Sequence, residues 1–442
     1  MKFIFSDSLD MVDPCFDFIE DRNAPNRRPY WDDVYPHELF INPPYDGMLV
    51  SKATVGDHRA KGKYTESQSM RFYRVGAREF LRLNDPRYAS MPIFGDCGAF
   101  SYAQEEVPPY SPEEIVEFYN SCGFTHGCSV DHIIFDFSED PTGLNGGSDE
   151  AKRRFDITLD NADVFLKTHR SQDSSFIPLG AVQGWSPDSM AEASRRLCAM
   201  GYDYLAVGGL VPLKATQVHL IIQAIRDTVP QNTRIHLLGF AKADVIEQFV
   251  RYNITSFDTT SPLLRAFKDE KDNYYVLQSN KLSYFMAIRV PQATENRRLL
   301  RAAKEGKVNQ EEMLLLEKIA LSTLRDFDRG ESSIEQTLEA VINYNVYLES
   351  SLHDNSAIRE KLAKKLEPLY RKTLEAKPWK NCLCPICKAH GIEVMIFRGS
   401  NRNRRRGMHN LFVYHNRICV FQSKLDSDST ANWTLIPGQT GH

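Results

Sequence analysis

The chain is expected to be an α/β protein: a (β/α)8 TIM barrel followed by a helical insertion and a C-terminal metal-binding subdomain. Three observations predict this. Short apolar, β-branched runs alternate with helix-patterned stretches from about residue 46 to 290. About eight such units fill about 245 residues, the size of a closed eight-strand barrel. The strand-like runs are continuously apolar rather than alternating, as buried parallel strands are. A doubly wound open sheet is the competing arrangement.

The elements follow in order. Residues 1–45 read as an N-terminal extension and 46–291 as the barrel. Expected strands are Gly47–Ser51, Pro92–Cys97, His132–Phe137, Ile177–Gln183, Tyr204–Gly208, Arg234–Phe240, Thr255–Thr259 and Phe285–Val290. Expected helices include Pro112–Cys122, Ser186–Met200, Lys214–Thr228 and Lys242–Arg251. Residues 292–377 form a helical region in which Leu299, Leu300, Met313, Leu316, Ala320, Leu324, Leu362, Leu366 and Tyr370 recur at helical spacing. Residues 378–442 form a basic, cysteine-bearing subdomain, with a polar, loosely ordered tail expected from Asp426.

Composition narrows the function classes. A hydrophobic fraction of 42% and a charged fraction of 25% describe an ordinary globular protein. A net charge of -4 is nearly neutral, so a nucleic-acid surface has to be a local patch. No run of apolar residues is long enough for a membrane span, and the acidic N-terminus is not a signal peptide; a cytoplasmic protein is expected.

The nine cysteines are unevenly placed. Cys382, Cys384 and Cys387 form C-x-C-x-x-C, a spacing that lets thiolates converge on one tetrahedral zinc ion. His390, His409, His415 and Cys419 are the candidates for a fourth ligand, and a complete protein shell makes the zinc structural. Between Ala376 and Arg417 there are nine Lys or Arg and one acid. The densest part, Arg398, Arg402, Arg404, Arg405 and Arg406, reads as a phosphate clamp or, alternatively, as a solvated loop.

Polar residues at the expected strand ends are Asp96, Asp136, Gln183, Gly208, Gly209, Gly239 and Asp258. Barrel chemistry is built at that position, though strand-end Asp and Gly also serve turns and caps.

These features resemble the tRNA-guanine transglycosylase superfamily. G-D-C-G-A-F at Gly95–Phe100 is similar to its D-S-G-G-F motif, and I-I-F-D-F-S at Ile133–Ser138 to its base-recognising F-D-E strand end. V-Q-G at Val182–Gly184, L-A-V-G at Leu205–Gly208, L-L-G at Leu237–Gly239 and S-F-D-T-T at Ser256–Thr260 follow in the family's order. The H-N-L context at His409 selects it as fourth zinc ligand. Ala99 and Ser101 depart from the first motif, and Tyr204 stands where the tRNA enzymes have glycine. D-P-C-F-D-F at Asp13–Phe18, Y-P-H-E at Tyr35–Glu38 and P-Y-D-G at Pro44–Gly47 resemble the DpdA-like branch, which acts on DNA.

The resemblance implies a pentosyltransferase that exchanges guanine in DNA for the 7-deazaguanine preQ0, beside partner proteins of a DNA-modification system. Exchange with retention suits a carboxylate nucleophile, here Asp258, and a second carboxyl for proton transfer, here Asp96. Phe100, Asp136, Gln183, Gly208, Gly209 and Gly239 are then expected around the base, and Arg265 at a neighbouring phosphate or merely at the surface. The alternatives are the same chemistry on tRNA, and a non-catalytic zinc and nucleic-acid-binding barrel.

Overall fold

A computed structural model describes residues 1–57, 62–140, 143–240, 242–293, 297–306, 308–352 and 356–431. It divides into two compact units, Met1–Leu9 with Tyr45–Thr260, and Asp10–Pro44 with Ser261–His442.

The first unit is a closed barrel of eight parallel strands. In order they are β1 (Lys2–Ser6), β2 (Gly47–Ser51), β3 (Ile93–Asp96), β4 (His126–Cys128), β5 (Ile177–Val182), β6 (Tyr204–Val207), β7 (Arg234–Leu237) and β8 (Ser256–Asp258). β1 closes the cylinder by pairing with β2 on one side and β8 on the other. The expected (β/α)8 class is what forms. Two strands differ from expectation. His132–Phe137 is irregular and β4 lies upstream at His126–Cys128, while Phe285–Val290 contributes to small sheets of the second unit. The barrel's first strand is instead KFIFS at the N-terminus, ahead of the 46–291 span, in a stretch too short to show periodicity.

Local chemistry sets the helix boundaries. Pro112–Cys122 starts at a capping box, Ser111 with Glu114, and stops at Gly123, whose φ of 68° an ordinary residue resists. Pro187–Met200 repeats the pattern between Ser186 and Gly201. Lys242–Arg251, expected as an α-helix, is a 3-10 segment at Ala243–Tyr252. Two strand glycines make room for one ring: a Cβ at Gly95 or Gly127 would fall 2.2 or 2.3 Å from Tyr119, which lies across β3 and β4. The barrel interior is filled by Ile4, Leu49, Phe94, Cys128, Leu179, Tyr204 and Ala206.

The second unit packs helices Gln310–Arg329, Ile334–Leu352, Ser356–Ala376 and Ser400–Ala431 around one core. Leu299, Met313, Ala320, Leu324, Leu366 and Tyr370 of the expected stripe are buried in it; the Leu362 side chain lies outside the described residues. Residues 426–431, expected as loose tail, continue the last helix, and 432–442 lie outside the described residues. Among the described residues no helix is long and apolar enough to cross a membrane.

Candidate active site and metal centre

Asp258 ends β8, where the strand order brings it beside β1 and β7. It is 6% exposed. Its Oδ2 accepts from the Ser6 hydroxyl at 2.8 Å; its Oδ1 accepts from the Gly239 amide at 2.8 Å and His236 Nε2 at 3.2 Å. Gly239 turns at a φ of 60°, which aims its N–H at the carboxylate. Three donors on two oxygens fix the carboxylate's plane.

Asp96, at the end of β3, is in the opposite condition. Burial, then the charges of Asp131 and Asp258, push its carboxyl up to about 7. The Gly98 amide at 3.1 Å only partly offsets them. Among the described residues no lysine or arginine pairs with Asp96, Asp131 or Asp258. Two carboxyl groups lie at one barrel mouth, one oriented by three donors and the other raised to about 7, which is what a nucleophile and acid/base pair requires chemically.

Beside Asp96 lies a buried cluster. Cys97 Sγ donates to Asp131 Oδ1 at 3.0 Å, and Gln183 Nε2 donates to Asp131 Oδ2 at 2.7 Å. The Tyr102 hydroxyl reaches Cys97 Sγ at 2.8 Å and the Asp131 carbonyl at 3.0 Å. Burial raises Asp131, and it pushes the Cys97 thiol and Tyr102 hydroxyl well up, so both keep their protons. Gln183 Oε1 accepts from the Ile134 amide at 3.3 Å, which sets the amide's orientation. Gly208 and Gly209 leave space for it; a Cβ on Gly208 would stand 2.3 Å from Gln183 Nε2.

The sequence-derived set is therefore partly assembled. Asp96, Gln183, Gly208, Gly209, Gly239 and Asp258 lie at the barrel's strand ends. Asp136 does not join this cluster: it is exposed and accepts from Ser148, the N-cap of helix Asp149–Ser171. The buried acid is Asp131, missed because the strand was placed at His132–Phe137 and so pointed to its far end. Phe100 is 58% exposed, with its ring 5.9 Å from the half-exposed Phe135. His236 and Ser6 were also missed, since a core histidine and an N-terminal serine carry no motif.

In the second unit, Cys382, Cys384, Cys387 and His409 converge, with their ligand atoms within 4.8 Å of one another. His409 Nδ1 is 3.4 Å from each of the three sulfurs. A tetrahedral cation with ordinary zinc bond lengths separates N and S by about 3.6 Å, so the donor set fits one. His409 Nε2 donates to the Tyr275 carbonyl at 2.8 Å, which turns Nδ1 toward the sulfurs. His390 instead accepts from Arg405, and His415 pairs with Cys419 one turn along the helix.

Four of the five arginines of the basic run are buried on partners inside the protein. Arg398 binds Asp21 and Glu317, and Arg402 binds Asp21 and Glu393. Arg405 donates to the Asp13 carbonyl at 2.6 Å, and Arg406 to the Val394 carbonyl at 3.1 Å. These four are buried; Arg398, Arg402 and Arg405 tie the 10–44 segment into the unit, and Arg406 donates to main-chain carbonyls within it. Arg404 is half-exposed and donates to the Met11 carbonyl. Arg265 lies over the rings of Tyr275 and Tyr284 at 5.9 and 5.3 Å.

Comparison with known proteins shows the family. The family described as Queuine tRNA-ribosyltransferase matches residues 104–274. A DNA-guanine transglycosylase of Salmonella montevideo is 42% identical over 420 residues, covering 95% of this chain and 96% of that protein. A tRNA-guanine(15) transglycosylase of Methanococcus aeolicus is 25% identical over 195 residues, 43% of this chain and 28% of that protein.

Proposed function

The chain belongs to the guanine transglycosylase family, in the branch of its DNA-guanine transglycosylase relative, and from that premise we propose that it exchanges guanine in DNA for the 7-deazaguanine preQ0. The observation that carries the reading is the pairing of Asp258, held by three donors, with Asp96, whose carboxyl is raised to about 7.

The steps follow from these two groups. An Asp258 carboxylate oxygen attacks C1′ of the target deoxynucleotide while the C1′–N9 bond breaks, and Asp96 gives its proton to the departing guanine. The sugar is then held as an aspartyl ester. The incoming base loses its N9 proton to Asp96, attacks C1′ and displaces Asp258, so two inversions give net retention. Phe100, with Phe135, offers an aromatic face, and the Asp131–Gln183 cluster with the Gly208–Gly209 backbone offers polar edges to a purine-like ring. Reaching C1′ in duplex DNA requires the nucleotide to leave the stack. Cys382, Cys384, Cys387 and His409 would hold zinc in a structural role, since they could supply all four ligands. Arg265 is left as the candidate phosphate contact. The protein works in the cytoplasm beside other proteins of a modification system.

Incubation of the protein with isotope-labelled guanine or preQ0 and either duplex DNA or tRNA tests this. Label entering DNA and not tRNA is expected, with Asp258→Asn inactive. Label in tRNA alone would support the tRNA reading. Undiminished exchange by Asp258→Asn would end the proposed nucleophile.

A further inference from the structure

Inside the barrel, below Asp258, three polar side chains are threaded through an otherwise apolar core. The Tyr204 hydroxyl lies 2.6 Å from Ser256 Oγ, Ser256 Oγ lies 2.7 Å from His236 Nδ1, and His236 Nε2 lies 3.2 Å from Asp258 Oδ1. Tyr204 is 2% exposed, Ser256 1% and His236 0%. The register makes this chain: His236 on β7 pairs with Ser256 on β8 and with Ala206 on β6, two residues from Tyr204.

The nucleophile assignment sets the direction of every hydrogen bond from one end. A carboxylate acting as nucleophile only accepts, so in that role Asp258 requires the proton on His236 Nε2. Nδ1 of that tautomer must accept, so the Ser256 hydroxyl donates to it, and the Tyr204 hydroxyl donates to Ser256. Burial pushes the Tyr204 hydroxyl up to about 12, so its proton stays in place. Phe94 stacks on the His236 ring at 5.0 Å, with 26° between planes, and holds it in the chain's line.

Resting on the nucleophile assignment above, we propose that Tyr204, Ser256 and His236 are positioning residues, a one-way hydrogen-bond relay that holds the Asp258 carboxylate in its attacking orientation. Oδ1 takes two donors, His236 and the Gly239 amide, and becomes the anchored oxygen. Oδ2 takes one donor, Ser6, and is the less encumbered oxygen to meet C1′. A buried chain of this kind is justified only if fully satisfied, and each of these contacts is made.

The test is guanine exchange into duplex DNA by the full-length protein, with kcat, KM for guanine and the thermal midpoint measured for each variant. His236→Phe keeps the ring on Phe94 and removes both hydrogen bonds; its kcat is expected to fall about 10²-fold with KM within about twofold of the parent. His236→Gln restores a donor near the Nε2 position and should recover to within about tenfold of the parent. Tyr204→Phe, which removes one hydroxyl and leaves the fold its ring, should lose about three- to tenfold in kcat, and it decides the matter if His236→Phe does not fold. Parental kcat in both His236→Phe and Tyr204→Phe, or losses that follow the thermal midpoint and appear equally in KM, would overturn the relay. If Asp258→Asn is inactive while those variants keep parental kcat, only the relay fails; if Asp258→Asn exchanges guanine, the nucleophile assignment fails with it.

Discussion

Gln183 and Asp131 share a 2.7 Å hydrogen bond in which the amide donates and the carboxylate accepts, closed off from solvent on both sides. The bond orients Gln183 and leaves Asp131 as an anionic neighbour of Asp96, where its charge is the second cause of the raised carboxyl. Asp131→Asn removes that charge, so the Asp96 carboxyl falls from about 7 toward the ordinary range. Asp96 must be protonated to serve the leaving guanine, so exchange declines as pH rises through its titration. The descending limb of kcat against pH is therefore expected at lower pH in Asp131→Asn. A limb that stays where it is would separate Asp131 from the proton-transfer group.

Asp96→Asn should trade activity for stability. The folded protein holds a proton on Asp96 between about pH 4 and 7 that the unfolded chain releases, so the parent loses stability as pH rises across that window. Asparagine carries no such cost. At pH 8 the variant is expected to be more stable than the parent by on the order of a few kcal/mol, and so to unfold at a higher temperature. Near pH 4 the difference should be small, and exchange should fall about 10²- to 10⁴-fold. Thermal melts at the two pH values check the first part and labelled-guanine exchange the second.

The barrel was legible because buried parallel strands leave continuous apolar runs, and Asp96 and Asp258 because they end two of them. β1 was not, since five residues at a chain end offer no period to read. Asp131 was hidden by an apolar run, Ile133–Phe135, that resembles a strand and is irregular chain after β4. The internal partners of the arginines were not legible, for an electrostatic reason. Composition counts charge along the chain, while their partners Asp21 and Glu317 lie 377 and 81 residues from Arg398. His236 was invisible as a partner of Asp258, because only the β7–β8 register brings them together.

Arg402 tests the revised role of the basic run. It is 1% exposed and binds both Asp21 and Glu393. Arg402→Ala leaves two buried carboxylates short of a cation, and breaking such a pair costs about 3–5 kcal/mol. The thermal midpoint is expected to drop sharply, while the slope of log affinity for DNA against log salt stays at the parental value. A phosphate contact would do the reverse, leaving the midpoint nearly unchanged and reducing the slope by about one.

The Cys3His centre should act through stability rather than chemistry. Its four ligands come from residues 382–387 and from His409 on the final long helix, so a bound ion joins two stretches that the core alone holds less firmly. One zinc per chain is expected by elemental analysis, with less than a tenth of that in Cys384→Ser. Structural zinc sites contribute free energy on the order of 10 kcal/mol when folding and binding are coupled, so strong chelators should lower the thermal midpoint and expose the second unit to protease. If metal were instead needed for the reaction, exchange would vanish at temperatures where the stripped protein is still folded. The structural role requires that folded, stripped protein retain exchange in proportion to its folded fraction.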